Sequence, residues 1–209
     1  QIDPSNADSW ESLIGALINM REFPQALAEA IRAQKMFPDH ADIQYLFALA
    51  SYHVTESPLG GVALRNLREA EPLSPRILLA EGLLHRKEGR TEEATTAFRR
   101  AAEQGIADAR VLLGILYTEN GDETAAEREF RGAERANPQN GQVALELGRL
   151  FLSRGQLAEA RLRLEKAVLA MPNSPVAHYQ IGLLYRRLGQ IEKGNTHLKK
   201  HRELAGSVQ

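Results

Sequence analysis

The chain has 209 residues, a net charge of −1 at pH 7 and no cysteine, and 25% of its residues are charged whereas 6% are aromatic. This charge excludes a general attraction to nucleic acid or to an anionic membrane surface, and the lack of cysteine excludes disulfide and thiolate chemistry. Because a membrane-spanning helix needs roughly 20 apolar residues in a row and the chain has no such run, we expect no membrane insertion; cytoplasmic and periplasmic locations are both compatible.

The first predicted element is a pair of helices within residues 7–40. Asn6 or Asp8 can cap the first helix, and Pro24 is typical of the first turn of the second helix. Pro38 stands where the second helix must have ended. The apolar and small residues at helical spacing are Trp10, Leu13, Ile14, Leu17, Ala26 and Ala33.

The next two stretches, 41–74 and 75–106, carry a weaker version of this pattern. Pro58, which follows a serine, predicts the start of the second helix in the first stretch. In the second stretch, Gly89 is expected to end one helix and Thr91 to cap the next. The other shared markers are Phe47, Ala48, Gly60 and Pro72, followed by Gly82, Ala94, Phe98 and Ala101.

Residues 107–140 show the helical hairpin most clearly. Gly114 has no side chain, so one side of the first helix lacks bulk there. Gly121, which follows an asparagine, predicts a left-handed turn. Asp122 can cap the following helix, and Pro138 lies beyond its end. The apolar stripes consist of Val111, Leu112, Ile115 and Leu116 on the first helix, and Ala126, Phe130 and Ala133 on the second.

The last two stretches, 141–174 and 175–208, repeat this hairpin. The final helix differs, because His201 replaces the small residue of the earlier hairpins and two lysines adjoin it. Polar residues at that place suit the end of a stacked array, so we interpret 192–204 as a terminal cap. The markers are Gly148, Phe151, Ala160, Leu164, Ala167 and Pro172, then Gly182, Tyr185, Gly189 and Leu198.

The period and the order of these residues resemble the tetratricopeptide repeat, whose pattern runs from Trp through Leu-Gly, Tyr, Ala and an aromatic to a closing Pro. Pro38 and Pro72 are 34 residues apart, as are Pro138 and Pro172. The resemblance implies an all-α fold: a right-handed α-solenoid, or superhelix, of stacked antiparallel helix pairs. It implies one domain over 1–209. The units would be 7–40, 41–74, 75–106, 107–140, 141–174 and 175–208, with 1–6 as the remnant of a preceding unit.

Two places depart from the family pattern. Ile14 stands where the pattern has glycine, and unit 75–106 lacks the closing proline and is two residues shorter than the others. The junction at 101–117 resembles the related Sel1-type repeat. We therefore expect a change of superhelical pitch near Gly105.

In tetratricopeptide proteins the first helix of each pair lines the concave face. The resemblance implies a mostly apolar groove for a partner peptide or helix, in which Arg86, Arg149 and Arg186 pair with carboxylates. The alternative is that several of these residues pack between neighbouring first helices. The expected groove residues are Tyr45, Leu49, Tyr52, His53, Leu79, Leu83, Arg86, Val111, Ile115, Leu145, Arg149, Leu152, Tyr179, Leu183 and Arg186.

One known mode of binding in the family is disfavoured. Chaperone-binding members hold a terminal carboxylate with Lys and Asn on successive first helices. The matching positions here carry Glu11, Gly15, Leu46, Leu79 and Leu83. These side chains cannot form a carboxylate clamp.

We expect no catalytic, cofactor or metal site, and therefore no enzyme. His197 and His201 could contact one metal, but no third ligand is near in sequence, so we interpret them as solvated. His53 with Glu56, and His85 with two glutamates, fit ordinary pairs on helix surfaces. The chain contains no Gly-rich phosphate loop, nucleophile elbow or cofactor fingerprint.

Charge is unevenly distributed along the chain. Residues 1–42 hold seven acids against three bases, whereas 186–204 hold six bases against two acids. Solvated helix faces and bases near a helix end explain this distribution. The alternatives are an anionic partner or head-to-tail self-association of copies. Nucleic acid is not expected as a partner, because no stacking aromatics accompany the bases.

These observations predict a scaffold or adaptor that binds a protein or peptide. The alternative is a recruitment segment of a larger multidomain protein, such as an enzyme or a component of bacterial envelope secretion or polysaccharide export. The remnant Ile2-Asp3-Pro4 favours this alternative slightly. The full-length open reading frame would distinguish the two.

Overall fold

The computed structural model describes residues 5–54 and 74–206, and these residues form eleven helices and no strand. None of the helices is long and apolar enough to cross a membrane. The helices are α1 (Ala7–Asn19), α2 (Phe23–Met36), α3 (Ala41–His53), α4 (Pro75–Lys87), α5 (Thr91–Glu103), α6 (Ala107–Glu119), α7 (Glu123–Ala136), α8 (Gly141–Ser153), α9 (Leu157–Ala170), α10 (Pro175–Arg187) and α11 (Ile191–Gly206).

The predicted all-α helical-repeat fold is confirmed. Every predicted unit begins at the first residue of a helix, and the described residues contain five complete helix pairs plus α3. The predicted second helix of unit 41–74, which would begin at Pro58, falls outside the described residues, as do Glu56, Gly60, Pro72 and residues 1–4. The count of six units, the single domain and the Sel1-type junction therefore stay predictions.

The chain divides into two compact units, Gln1–Ala109 and Arg110–Gln209. Each unit has its own apolar core. The core of the first unit surrounds Trp10, Ile14 and Phe47, and the core of the second surrounds Phe130, Leu147 and Leu164. On α8 the exposed residues are Gln142, Arg149 and Ser153.

The turn inside each pair uses a left-handed backbone conformation. Gly121 has a φ of 79°, as predicted, and the equivalent Gly89, Gly155 and Gly189 share this conformation. In the first pair the position is taken by Arg21, with a φ of 63°. A side chain at such a φ costs about 1–2 kcal/mol through the clash of its Cβ with the carbonyl oxygen. The first turn is therefore strained relative to the others.

The N-terminal caps of two helices form side-chain hydrogen bonds as expected. Asn6 accepts a hydrogen bond from the Asp8 backbone N–H at 2.9 Å, and Asp122 accepts one from Ala125 at 2.9 Å, so both predicted caps are confirmed. The prediction of Thr91 as a cap was wrong. The cap position is the residue directly after the turn glycine, which is Arg90, and its side chain makes no capping bond.

Glycines bring the two helices of a pair into close contact. A Cβ added to Gly148 would lie 2.6 Å from Leu164 Cδ2, and Gly82 and Gly182 approach Phe98 and Leu198 in the same way. The glycine always precedes its large partner by 16 residues. These pairs fix the distance between the first and second helices and so orient the exposed face of each first helix.

Candidate functional site

The second unit contains a pocket of about 320 Å³ between its first helices. Helices α8 and α10 supply most of the lining, and α6 and α7 supply one residue each. The lining mixes leucines with charged and amide side chains. It consists of Thr118, Glu123, Glu146, Arg149, Leu150, Leu152, Ser153, Gln180, Leu183 and Arg187.

Repeat spacing explains why two helices build one pocket. Glu146 and Gln180 are 34 residues apart, as are Arg149 and Leu183. Each pair occupies equivalent positions on α8 and α10, and the two positions on each helix are three residues apart, which places them on one face. The two helices therefore present the same face to the pocket.

Glu146 is the most buried charged residue of the lining, with only 8% of its surface exposed. Its carboxylate accepts hydrogen bonds from Gln142 Nε2 at 2.7 Å and from Arg149 Nη1 at 3.0 Å. Burial raises the pKa of Glu146, and the charge of Arg149 opposes this rise. The ion pair with Glu146 thus holds the Arg149 side chain in place, and about half of that side chain remains exposed for a ligand.

The other charged groups of the pocket are also anchored. Arg187 Nη1 donates to the Leu152 carbonyl oxygen at 2.8 Å, which ties α10 to α8. Arg154, just outside the lining, donates to Glu123 at 2.7 Å and to Glu127 at 2.5 Å. Because these groups are fixed before any ligand arrives, a ligand would meet a preorganised wall.

In the second unit, the predicted groove residues differ in exposure. Val111, Leu145 and Leu152 are buried, Ile115 and Leu183 are half-buried, and Arg149, Tyr179 and Arg186 are exposed. The pocket brings together Arg149, Leu152 and Leu183. Tyr179 instead lies against the ring of His201, with centroids 5.2 Å apart.

In the first unit, Leu79 and Leu83 are buried, whereas Tyr45, Leu49, Tyr52 and Arg86 are half-buried. The exposed His53 stacks on Phe23 of α2, with ring centroids 4.0 Å apart. Burial lowers the pKa of His53, and nearby Arg21 and Lys87 lower it further. The buried leucines can form part of a groove wall, but they offer little surface to a partner. The groove as a whole is therefore still a prediction.

Several pocket residues, chiefly Glu146, Ser153, Gln180 and Arg187, were not among the predicted groove residues. Each follows a predicted groove residue by one place, which turns it by about 100° round the helix. A signal was present, because Glu146 and Gln180 are polar residues at equivalent positions of consecutive units. Polar residues repeated at one helical position indicate a face that is not part of the apolar core.

The interpretation of His197 and His201 as solvated residues was wrong. His197 stacks on His178 of α10, with ring centroids 5.2 Å apart, and His201 Nδ1 lies 3.0 Å from the Pro175 carbonyl oxygen. The reason is that α11 packs on α10 along the face that carries both histidines. Within residues 5–54 and 74–206, no group of three or more His, Asp or Glu side chains could hold a metal ion.

Comparison with protein-family models gives two matches, both described as tetratricopeptide repeat. One covers residues 117–184, and the other covers 63–109 and 79–141. Together they span 63–184, more than half of the chain. The chain belongs to the tetratricopeptide-repeat family.

Individual relatives of this tetratricopeptide-repeat chain are distant. Cellulose synthase operon protein C of Pseudomonas fluorescens (strain SBW25) is 31% identical over 86 residues, which is 41% of this chain and 7% of that protein's length. Pseudomonas aeruginosa PilF is 16% identical, with a TM-score of 0.74, over 96% of this chain and 97% of PilF. The human IFIT1 dimer with PPP-AAAA is 16% identical, with a TM-score of 0.79, over 94% of this chain and 49% of IFIT1. At such identity the two structures show the fold alone.

Membership of the tetratricopeptide-repeat family supports a general role as a protein-interaction scaffold. Proteins of this fold are generally non-enzymatic scaffolds, and the tetratricopeptide repeats imply protein partners. The absence of a nucleic-acid partner and head-to-tail self-association both stay predictions.

Proposed function

We propose that this chain is an adaptor that binds an extended peptide segment of a partner protein in the pocket between α8 and α10. The observation that carries the proposal is the lining itself. Leu150, Leu152 and Leu183 provide apolar surface beside Gln180 and the guanidinium of Arg149. A pocket of about 320 Å³ lies at the small end of the range for ligand sites, so it suits one or two side chains rather than a whole helix.

Each wall of the pocket has a separate role in this proposal. The leucines bury an apolar side chain of the peptide, and the Gln180 amide can both donate to and accept from the peptide backbone. Arg149 and Arg187 attract a carboxylate of the peptide, because each guanidinium has further N–H groups beyond the ones used within the chain. The pocket thus favours a peptide that combines an apolar residue with an acidic one.

The groove residues predicted from sequence in the first unit form a separate part of this proposal. Tyr45, Tyr52 and Arg86 are half-buried there and would contact a partner segment. Burial raises the pKa of the Tyr45 hydroxyl, so Tyr45 is a neutral hydrogen-bonding group at pH 7. In this proposal the chain has no active site of its own and works only by binding.

A second candidate function is recruitment within a larger protein. Its support is the match to cellulose synthase operon protein C, because 86 residues of this chain align with 7% of that relative. The chain would then be one part of a repeat array in a bacterial polysaccharide-export or envelope component. The two functions make different predictions for binding by the isolated chain: the adaptor retains its partner alone, whereas the recruitment segment needs the flanking protein.

The test is a pair of matched substitutions compared in a pull-down from native cell extract. Leu183→Gln alters the pocket, and Leu162→Gln makes the same chemical change on α9, where Leu162 is 64% exposed. A partner that is retained by the parent and by Leu162→Gln, but lost by folded Leu183→Gln, supports the peptide pocket. Equal retention by all three overturns it. Leu83→Glu is not a clean test, because Leu83 is buried and a buried charge would unfold the chain.

A synthetic peptide from the captured partner then tests the chemistry. We expect Arg149→Gln to weaken binding of an acidic peptide by roughly tenfold or more, since a charge-assisted hydrogen bond contributes about 1.5–3 kcal/mol. Gln180→Ala should weaken it by roughly twofold to tenfold, since a neutral hydrogen bond contributes about 0.5–1.5 kcal/mol. Added RNA oligonucleotide serves as a competitor. Displacement of the peptide by RNA would contradict the prediction that nucleic acid is not a partner.

A further inference from the structure

The last two helices are joined by a direct contact between two histidines, His178 of α10 and His197 of α11, which we call the histidine pair. The two Nδ1 atoms are 2.9 Å apart, and the rings stack at an interplanar angle of 29°. Nε2 of His178 lies 3.0 Å from the carbonyl oxygen of Pro172. His178 is buried and His197 is half-buried.

These distances fix where the hydrogens lie in the neutral pair. A carbonyl oxygen can only accept, so Nε2 of His178 carries a hydrogen and donates it to Pro172. Nδ1 of His178 then has a free lone pair, which accepts the Nδ1–H of His197. In the docked state both imidazoles are neutral, and each has a defined tautomer.

Acid opposes this arrangement in two steps. A first proton can bind Nε2 of His197, but burial lowers the pKa of His197 and neighbouring His178 lowers it further. A second proton must bind Nδ1 of His178. Two N–H groups and two positive charges would then face each other across 2.9 Å, which no shared hydrogen bond can relieve.

The charged groups on α9 do not neutralise the pair. Glu165 accepts a hydrogen bond from the Tyr185 hydroxyl at 2.9 Å and also pairs with Arg161 at 3.7 Å. Its carboxylate is thus engaged at the hydroxyl end of Tyr185. The ring of Tyr185 separates Glu165 from His197, because it stacks on His197 with centroids 5.7 Å apart.

The charged groups on α11 add to the positive charge. Lys193 Nζ lies 5.6 Å from the centroid of the Tyr185 ring, so an ammonium stands near the ring that contacts His197. His201 differs from the pair, because its Nδ1 faces the Pro175 carbonyl oxygen at 3.0 Å. A protonated His201 would still donate that bond, so His201 does not oppose docking in acid.

We propose that the histidine pair is an acid-sensitive lock, which holds α11 on α10 near neutral pH and releases it on acidification. The proposal is independent of the peptide pocket. Release separates Leu198 from Gly182, where an added Cβ would lie 2.8 Å from Leu198 Cγ, and uncovers an apolar face of α10. Below the ordinary histidine pKa of about 6.5, each proton taken up on release shifts the ratio of docked to released α11 by about tenfold per pH unit.

The experiment measures the distance between α9 and α11 directly. The chain has no native cysteine, so Leu162→Cys and Lys200→Cys, both at exposed positions, accept spin labels at defined places. At pH 7.5 we expect a single docked distance by double electron–electron resonance. At pH 5.0 we expect a second, longer distance, while circular dichroism shows that the rest of the helices persist.

Two variants separate the lock from a general effect of acid. His178→Phe with His197→Phe keeps two planar rings at these positions that cannot be protonated, so α11 should stay docked at both pH values. His201→Gln is the matched control and should release α11 as the parent does. If the double variant does not dock at pH 7.5, His197→Phe alone, which removes the Nδ1–H group facing His178, should release less α11 at pH 5.0 than the parent does.

The proposal is overturned by any of three results: one docked distance for the parent at pH 5.0, acid release that persists unchanged in the phenylalanine variants, or release that is lost in His201→Gln alone. Loss of all helicity in parallel with the longer distance would also overturn it, because the lock acts on α11 and not on the whole chain.

Discussion

Gly114 of α6 and Phe130 of α7 approach so closely that a Cβ on Gly114 would lie 2.5 Å from Phe130 Cε1. The first hairpin reverses this arrangement of sizes. At the equivalent positions it has Ile14 and Ala30, both fully buried in the core of the first unit. Each of these two hairpins therefore has one large and one small residue at the contact, and the departure of Ile14 from the family pattern is matched by Ala30.

Gly114→Leu should destabilise the second unit by about 1–3 kcal/mol or more, because the larger side chain must displace a buried phenylalanine. Thermal or urea unfolding measures the loss. Gly15→Leu on α1 is the control, since nothing lies within 4 Å of a Cβ at Gly15. A melt of Gly114→Leu that matches the parent's would show that this contact does not limit packing.

In the first hairpin the large residue is on the first helix and the small one on the second. This arrangement predicts that exchanging the two sizes in the second unit restores part of the lost stability. Gly114→Ile combined with Phe130→Ala should be more stable than the sum of the two single changes predicts, by about 1–3 kcal/mol, because neighbouring residues couple. The double-mutant cycle is measured by urea unfolding of the four proteins. Strictly additive losses would mean that Ile14 and Ala30 do not compensate each other's size.

Arg21→Gly should stabilise the chain by about 0.5–1 kcal/mol. The substitution removes the strain of the left-handed conformation, which costs about 1–2 kcal/mol. Glycine also raises the conformational entropy of the unfolded chain, and this offsets about 0.4–1 kcal/mol of that gain. The exposed Arg21 side chain gives up little packing. Gly121→Arg is the reverse change and should destabilise by a similar amount; the same sign for both would contradict the argument.

Asp122→Ala should cost about 1 kcal/mol, because the Ala125 N–H loses its capping acceptor. Arg90→Ala, at the equivalent position before α5, should change stability by less than about 0.5 kcal/mol, as is usual for a surface residue. Chemical denaturation of the two variants gives both values. A larger loss for Arg90→Ala than for Asp122→Ala would show that the hydrogen bond of Asp122 contributes nothing.

Arg149→Ala should destabilise the chain by about 1–3 kcal/mol at pH 8, because it removes a partner from the buried carboxylate of Glu146. Burial raises the pKa of Glu146 in the folded chain. A raised carboxyl pKa means that stability falls as pH rises through the folded value, and loss of Arg149 raises that value further. The loss should therefore become smaller as the pH falls from 8 and folded Glu146 takes up a proton.

The control for this pH dependence is Glu146→Gln with Arg149→Ala, in which no carboxylate is left. Its stability relative to Glu146→Gln should be the same at pH 5 and pH 8. If Arg149→Ala loses equal stability at both values, the charge of Glu146 is not the cause.

The elements of the fold could be predicted from local sequence. Gly89 and Gly121 marked turns, Asp122 marked a cap, and stripes such as Ala126, Phe130 and Ala133 marked the buried faces. These signals depend on residues only three or four places apart or on the conformation of a single residue. For the same reason Thr91 was misassigned by one place: composition indicates a cap nearby, whereas backbone geometry decides which residue occupies it.

The site depended on contacts between helices. Leu145 and Leu183 both read as groove residues, yet Leu145 is buried and Leu183 lines the pocket beside Gln180. No local pattern distinguishes them, because the distinction depends on how α8 and α10 pack. The sequence showed that Glu146 and Gln180 occupy equivalent positions of consecutive repeats. It did not show that a pocket lies between them.

The sequence by itself determined an all-α chain of helical hairpins with a 34-residue period, because helical spacing, turn glycines and closing prolines act over a few residues each. Only the tertiary structure decided that Arg187 donates to the Leu152 carbonyl oxygen, 35 residues away, and that His197 meets His178, 19 residues away, at 2.9 Å. Such pairs depend on the distance and rotation between packed helices. Those are set by the volumes of many buried side chains together, not by any single stretch of the chain.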